Sequence, residues 1–231
     1  MLVHCALDGK VAVVTLDDGK ANVYSHEALA ALHEALDQAE EHANALLFVG
    51  RAGRFSAGFD LAVMSSGDEP MRALVVAGAR WLARVFTFPM PVVAACTGHA
   101  LAAGAMTLLV ADHRVGAAGP FKIGLNEVGI GMALPQFAVE LARYRIPPSR
   151  FDVALLGEVF DPEGAMAAGF LDRVVDAEVV VAEATVTAHR LAELRSGAVR
   201  RTKLAARGAI ADEILATIEA DMASLSVPRA P

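Results

Sequence analysis

Three short segments hold the residues best suited to binding and reacting with a small ligand. In Ser56-Ala57-Gly58-Phe59-Asp60 the chain thins to almost bare backbone just past the apolar run Ala45–Val49, then resumes with bulk. Such thinning serves either a tight turn or a place where main-chain N–H groups come close to a ligand. The second segment, Gly98-His99-Ala100-Leu101-Ala102-Ala103-Gly104-Ala105, reads as a strand-to-helix turn of small residues. The start of a helix offers unpaired N–H groups and the positive end of its dipole, which suits an anion. The third, Gly124-Leu125-Asn126-Glu127, sets one carboxylate in a loop of glycine and apolar residues. With Ile123, Leu125, Val128 and Ile130 around it, a buried Glu127 would have a raised pKa, which suits a base that must also return its proton. Taken singly, small residues at such a turn are packing, and Glu127 is a solvated loop acid. The sequence has no P-loop, no G-x-S-x-G elbow and no dinucleotide G-x-G-x-x-G after a strand.

The elements that must position these segments follow from patterning. Residues 2–7 and Val11–Leu16 flank the turn Asp8-Gly9-Lys10 as a hairpin. Ser25 is an N-cap with Glu27 in the first turn, and Leu29, Leu32 and Leu36 mark the inner face of a helix reaching about His42. Ala45–Val49 is a strand, and residues 71–88 form a helix with Leu74, Val75, Trp81, Leu82 and Val85 inward. Val92–Cys96 reads as a strand, then a turn, then a buried helix over 100–110, with a short strand at 113–116. Ser149 with Asp152 resembles a capping box, and Asp161-Pro162-Glu163 supplies a cap, a first-turn proline and an acid. Gly169 closes that helix before a strand within 170–175, and 178–225 is helical. Strand, small-residue turn, helix and strand recur twice in the first half. This predicts an α/β protein whose sheet is built by β-crossover units, with helices packed outside and a helical C-terminal region.

Composition narrows the function classes. A chain of 231 residues can build its core without metal or disulfide, and a net charge of −7 argues against nucleic acid as a partner. Cys5 and Cys96 match no metal spacing and read as buried free thiols, the seven histidines form no H-x-x-x-H pair, and no metal is expected. Asp8 comes too early for a signal peptide, so a cytoplasmic protein is expected. Residues 92–111 could span a bilayer by count, but Thr97-Gly98-His99 interrupts them and Pro89 and Pro91 precede them, so no membrane span is expected.

Read together, FSAGFDL, PVVAACTGHALAAGAMTLLVADHRV, FKIGLNEVGIGMALP and GEVFDPEGAMAAGFLDRVV resemble, in order and spacing, the enoyl-CoA hydratase/isomerase (crotonase) superfamily. The resemblance reaches weakly from the N-terminal hairpin to about Lys203. It implies a spiral of ββα units, a homotrimer or dimer of trimers, and an acyl-CoA thioester substrate whose coenzyme A is the only cofactor-like group. It divides the chain into an acyl-CoA-binding core over 1–195 and a helical segment over 196–231 with an oligomerisation role. By motif position, the N–H groups of Phe59 and Ala103 would hold the thioester enolate oxygen, Ala103 standing where many members have glycine. Each such donor is worth about 3–4 kcal/mol in the transition state. Lys20, Ala21, Ala57, Gly58, Asp60, Leu61, Gly104 and Met106 would line the substrate site, with Arg54 and Lys203 as further basic candidates for the nucleotide end.

Water addition in this family resembles a two-carboxylate reaction, with one glutamate three residues after the second donor. That position is Met106, whose thioether cannot take a proton. One base is enough to move a double bond, and the wording GLNE also resembles the enoyl-CoA isomerases. The favoured expectation is therefore conversion of a 3-enoyl-CoA to a 2-enoyl-CoA by Glu127 alone. Enoyl-CoA hydration stays open, because Asp68, Glu69 or Glu158 could supply a second acid. So do other crotonase chemistries, an acyl-CoA-binding homologue without turnover, and a protein that binds no coenzyme A.

Overall fold

Two runs without a polar side chain, Ala45–Val49 (β4) and Val92–Cys96 (β7), are buried at every position, which requires cover on both faces of a sheet. In the computed structural model, which describes residues 2–225, they occupy its centre. The large sheet has the order β1-β2-β4-β7-β9-β11, with β1 Val3–Asp8, β2 Val11–Leu16, β9 His113–Ala117 and β11 Arg173–Val175. Only the β1–β2 hairpin pairs antiparallel; each later neighbour is parallel.

The chain then repeats one manoeuvre. After β4 it crosses to a small parallel sheet as β5 (Gly53–Ser56), and after β7 as β8 (Gly98–Leu101). After β9 it does so as β10 (Ile123–Gly124). Helices follow each visit: α2 (Leu61–Met64) and α3 (Asp68–Phe86), then α4 (Ala103–Val110), then α5 (Gln136–Arg145). A third pairing joins β3 (Val23–Tyr24) to β6 (Gly58–Phe59). The resulting ββα spiral delivers the ends of β6, β8 and β10 to one region.

Sequence and structure differ where small residues dominate. The helix expected over 100–110 begins at Ala103, because residues 98–101 pair with β5 and β10 instead. Gly98 permits this pairing, since a Cβ there would lie 2.1 Å from the carbonyl carbon of Gly53. Ser149 caps nothing: α6 (Pro148–Leu155) has Pro147 at its N-cap, so its proline start overrides the serine signal. Ser25 does cap α1 (His26–His42), accepting from Ala28 N, and Asp161 caps α7 (Pro162–Ala167). The helical stretch 178–225 is two helices, α8 (Val180–Ala192) and α9 (Ser196–Ala223). Cys96 is buried as expected, whereas Cys5 is only half-buried; both are free.

Helix α8 covers the back of the large sheet over Val11, Leu47, Val93 and Val115, while α1, α3, α4, α5 and α9 share the front core. Among the described residues no helix is long and apolar enough to cross a membrane. Two buried cations fasten α9. Lys203 Nζ donates to Asp112 Oδ2 at 2.7 Å and to Met90 O at 3.0 Å, and Arg207 Nη1 lies 2.8 Å from Asp112 Oδ1. Arg207 also stacks on Phe86 and Tyr144. Burial pulls the Lys203 ammonium down to about 8. Lys203 is therefore a structural clamp and not a surface contact for a nucleotide, which corrects the expectation from sequence.

Removing the shared anion would strand both cations. Asp112→Ala is expected to cost about 3–5 kcal/mol of unfolding free energy, read from urea denaturation midpoints.

Candidate functional site

Segment one is held by its neighbours through backbone and small polar groups. Asn22, fully buried at φ +55°, donates Nδ2 to Leu16 O at 2.7 Å and Arg54 O at 3.1 Å. Ser56 Oγ donates to Asn22 O at 2.7 Å and accepts Gly58 N at 3.1 Å, and Ala57 N donates to Ala21 O at 3.0 Å. These bonds seat β6 beside β3, where Asp60 N donates to Tyr24 O. Adjacent amides of an extended strand point to opposite sides, so Phe59 N–H faces away from β3. Its ring packs edge-on to Tyr24 and fills the space beside Gly78, where a Cβ would meet it at 2.2 Å.

Segment two meets segment one at Gly58. With φ +88°, that glycine lies so close that a Cβ would sit 2.9 Å from Ala102 Cβ and 3.1 Å from Ala103 N. Ala102 has φ +51° and is the N-cap of α4 without a side-chain cap, so the Ala103 N–H is an orphan donor at a helix start. The strained residue is thus Ala102, one position before the predicted donor. Tyr24, paired in register with Phe59, bonds Thr107 Oγ1 at 2.8 Å, and Thr107 in turn donates to Ala103 O at 3.0 Å. One hydrogen-bond chain therefore ties the elements carrying both amides.

Segment three hangs from the same ladder. Gly124 pairs with Leu101, its carbonyl accepts Ala102 N at 3.1 Å, and three residues later comes Glu127, just before the 3₁₀ turn Val128–Ile130. Glu127 is 8% exposed, and among the described residues its Oε2 has no hydrogen-bond partner; nor has the buried Oδ1 of Asn126. Burial pushes the Glu127 carboxyl up to about 7. Of the apolar neighbours expected around it, Ile123 and Leu125 are buried while Val128 and Ile130 face outward.

The remaining predicted residues divide. Gly104 is a packing glycine, since a Cβ would lie 2.3 Å from Ser56 O. Met106 is 1% exposed and belongs to the core. Asp60 caps α2 by accepting Ala62 N at 2.9 Å, and Leu61 is 66% exposed. Lys20 and Arg54 are exposed, and Lys20 O accepts Arg51 Nη1 at 2.7 Å. Asp68 and Glu69 lie in the first turn of α3, and Glu158 packs its carbonyl near Gly124; all three side chains are exposed. Among the described residues no cluster of His, Cys, Asp and Glu could hold a metal ion. Sequence reasoning missed Asn22, Tyr24 and Thr107 and read Ser56 only as a small residue; all four shape the site through hydrogen bonds between distant segments.

A family profile described as enoyl-CoA hydratase/isomerase matches residues 7–228. The chain belongs to the enoyl-CoA hydratase/isomerase family. Its fold is that of a solved family protein from Pseudomonas syringae, 44% identical, with TM-score 0.94 and coverage of 97% of this chain and 98% of that one. A Mycobacterium marinum structure described as an enoyl-CoA hydratase is 38% identical, with TM-score 0.91 and coverage of 97% and 99%. The mouse mitochondrial enoyl-CoA delta isomerase 1 is 30% identical over 229 residues, 96% of this chain and 79% of that protein. Family membership thus joins both names, and this enoyl-CoA hydratase/isomerase homologue is distinguished by its own residues.

Two outcomes follow for this family member. Gly58→Ala would bring a methyl to 3.1 Å from Ala103 N at a strained φ, so the melting temperature should fall, and any turnover that uses the Ala103 amide as an oxyanion donor should fall about 10²–10³-fold. For Glu127, the folded protein binds more protons than the unfolded chain between about pH 4.5 and 7. Its burial therefore costs stability as pH rises through that window, roughly 3 kcal/mol once above it. Glu127→Gln should unfold at higher denaturant than wild type at pH 8 and match it below pH 5.

Proposed function

We propose that this protein moves the double bond of a 3-enoyl-CoA to give the conjugated 2-enoyl-CoA, with Glu127 as the single acid and base. The observation that carries this reading is the buried Glu127 carboxyl, whose Oε2 has no partner among the described residues and whose pKa burial raises to about 7. Both protonation states are then accessible at neutral pH, so one group can accept the C2 proton and deliver it to C4. The amides of Phe59 and Ala103 hold the enolate oxygen formed in between. Ala57 and Gly58, with Gly104 behind them, let the thioester reach that backbone; Lys20, Ala21 and Arg54 take the nucleotide end, and Asp60 and Leu61 border the entrance. No group beyond the coenzyme A of the substrate takes part.

The apolar side chains of Ile130 and Leu156, exposed near the contact between Gly129 and Gly157, support self-association. A homotrimer or dimer of trimers in the cytoplasm, with 196–231 contributing to assembly, completes the reading. Hydration of a 2-enoyl-CoA is the second reading. It is favoured by Asn126 Oδ1, which also lacks a partner and could hold a water beside Glu127.

Incubation with 3-enoyl and 2-enoyl thioesters separates the two. The expected product is isobaric with the 3-enoyl substrate and absorbs as a conjugated thioester; a gain of one water from the 2-enoyl substrate would establish hydration instead. Deuterium should enter C2 or C4 from solvent, and Glu127→Gln should stop that exchange while acyl-CoA still binds. Binding without exchange in the wild type would mark a non-catalytic homologue.

A further inference from the structure

At the end of β7 remote from the candidate site, α8 and α9 diverge around a cavity of about 430 Å³. Pro91 of this cavity precedes β7, whereas the other end of β7 feeds β8 and Ala103. The length of a five-residue strand, about 16 Å, therefore separates the two places. Pro91, Leu191, Leu194, Ala198 and Val199 give it an apolar side, and Asp112, Thr202 and Lys203 also line it. Arg190, in the last turn of α8, and Arg195, the N-cap of α9, stand at its rim. Among the described residues neither guanidinium has an ion-pair partner. The nearby carboxylates are already engaged, Asp112 by Lys203 and Arg207, and Asp172 by Arg114. His113 also lines the cavity, and its buried Nε2 has no partner.

We propose that this cavity is a second ligand site, for an amphipathic monocarboxylate. The carboxylate bridges Arg190 and Arg195, whose planar forks match its geometry, and an alkyl body lies over Leu191, Leu194 and Val199. A volume of about 430 Å³ holds roughly 14 heavy atoms at about 30 Å³ each, enough for a medium-chain acid such as decanoate. The five apolar lining residues favour a ligand with an alkyl body over a bare inorganic anion. The site is independent of the reaction proposed above, because it shares no residue with it.

The test titrates the full chain with decanoate by calorimetry. Wild type should bind it. Arg190→Ala with Arg195→Ala should weaken binding at least tenfold, and Ala198→Trp, at an exposed position of α9, should block it with both charges intact. Glu127→Gln should bind as wild type does, and thermal melts should show each variant folded. The proposal fails if wild type takes up no decanoate, if binding survives both cavity variants, or if it disappears in Glu127→Gln. Displacement of decanoate by equimolar inorganic phosphate would also overturn it, since that would mark a plain anion site.

Discussion

The close approach of Gly58 to Ala102 and Ala103 is the constraint on which the candidate site rests. A single methyl at residue 58 would fall 3.1 Å from Ala103 N, so the two amide-bearing turns meet only because that methyl is missing. Everything around the contact serves its register. The small sheet aligns β5, β8 and β10, and the Tyr24–Thr107–Ala103 chain sets α4 against β3 and β6. The fit also imposes backbone strain at Ala102, of the order of 1–3 kcal/mol for a non-glycine residue in a sparsely populated region. Two bonds fix that residue, Ala102 N to Gly124 O and Met106 N to Ala102 O, so relaxation would pull on both the small sheet and the first turn of α4.

The half-buried Asp112, the more exposed Asp172 and the buried Glu127 are carboxylates of two kinds. Asp112 accepts from Val92 N, Lys203 and Arg207; Asp172 accepts from the backbone and side chain of Arg114, which holds its carboxyl below the usual range. These acids are compensated and structural. Glu127 has nothing comparable, and its carboxyl rises instead of falling. An acid whose buried Oε2 lacks a partner among the described residues costs stability without a structural return, and perturbed groups of this kind cluster at functional sites.

What the sequence could reveal depended on whether a signal was local. Pure apolar runs identified β4 and β7, and the side chains of Ser25 and Asp161 announced the helices they cap. Glu127 stood out because its neighbours were apolar. Residues 98–101 did not declare themselves as a strand, because a run of small residues has no period and only pairing with β5 and β10 decides it. Lys203 looked like any surface lysine, since its partner Asp112 is distant in sequence. Asn22 and the hydrogen bonds of Ser56 were invisible for the same reason, although a buried asparagine at positive φ between a hairpin and a helix cap is a recognisable turn residue once its contacts are known.

Met106 bears on the choice between moving a double bond and adding water. It lies three residues after Ala103, on the same side of α4 as that amide, yet its side chain is packed in the core at 1% exposure. An ionised carboxylate placed there would need a buried partner to offset its desolvation, and the surrounding cluster is hydrophobic. Position 106 is thus poorly suited to a second ionised acid. Water addition asks for a group that deprotonates the water and a second that protonates carbon or orients the nucleophile. A double-bond shift asks only that one carboxyl lose and regain a single proton between neighbouring carbons. On the proposed reading, Glu127, raised to about 7 and with no partner at Oε2 among the described residues, meets the smaller demand.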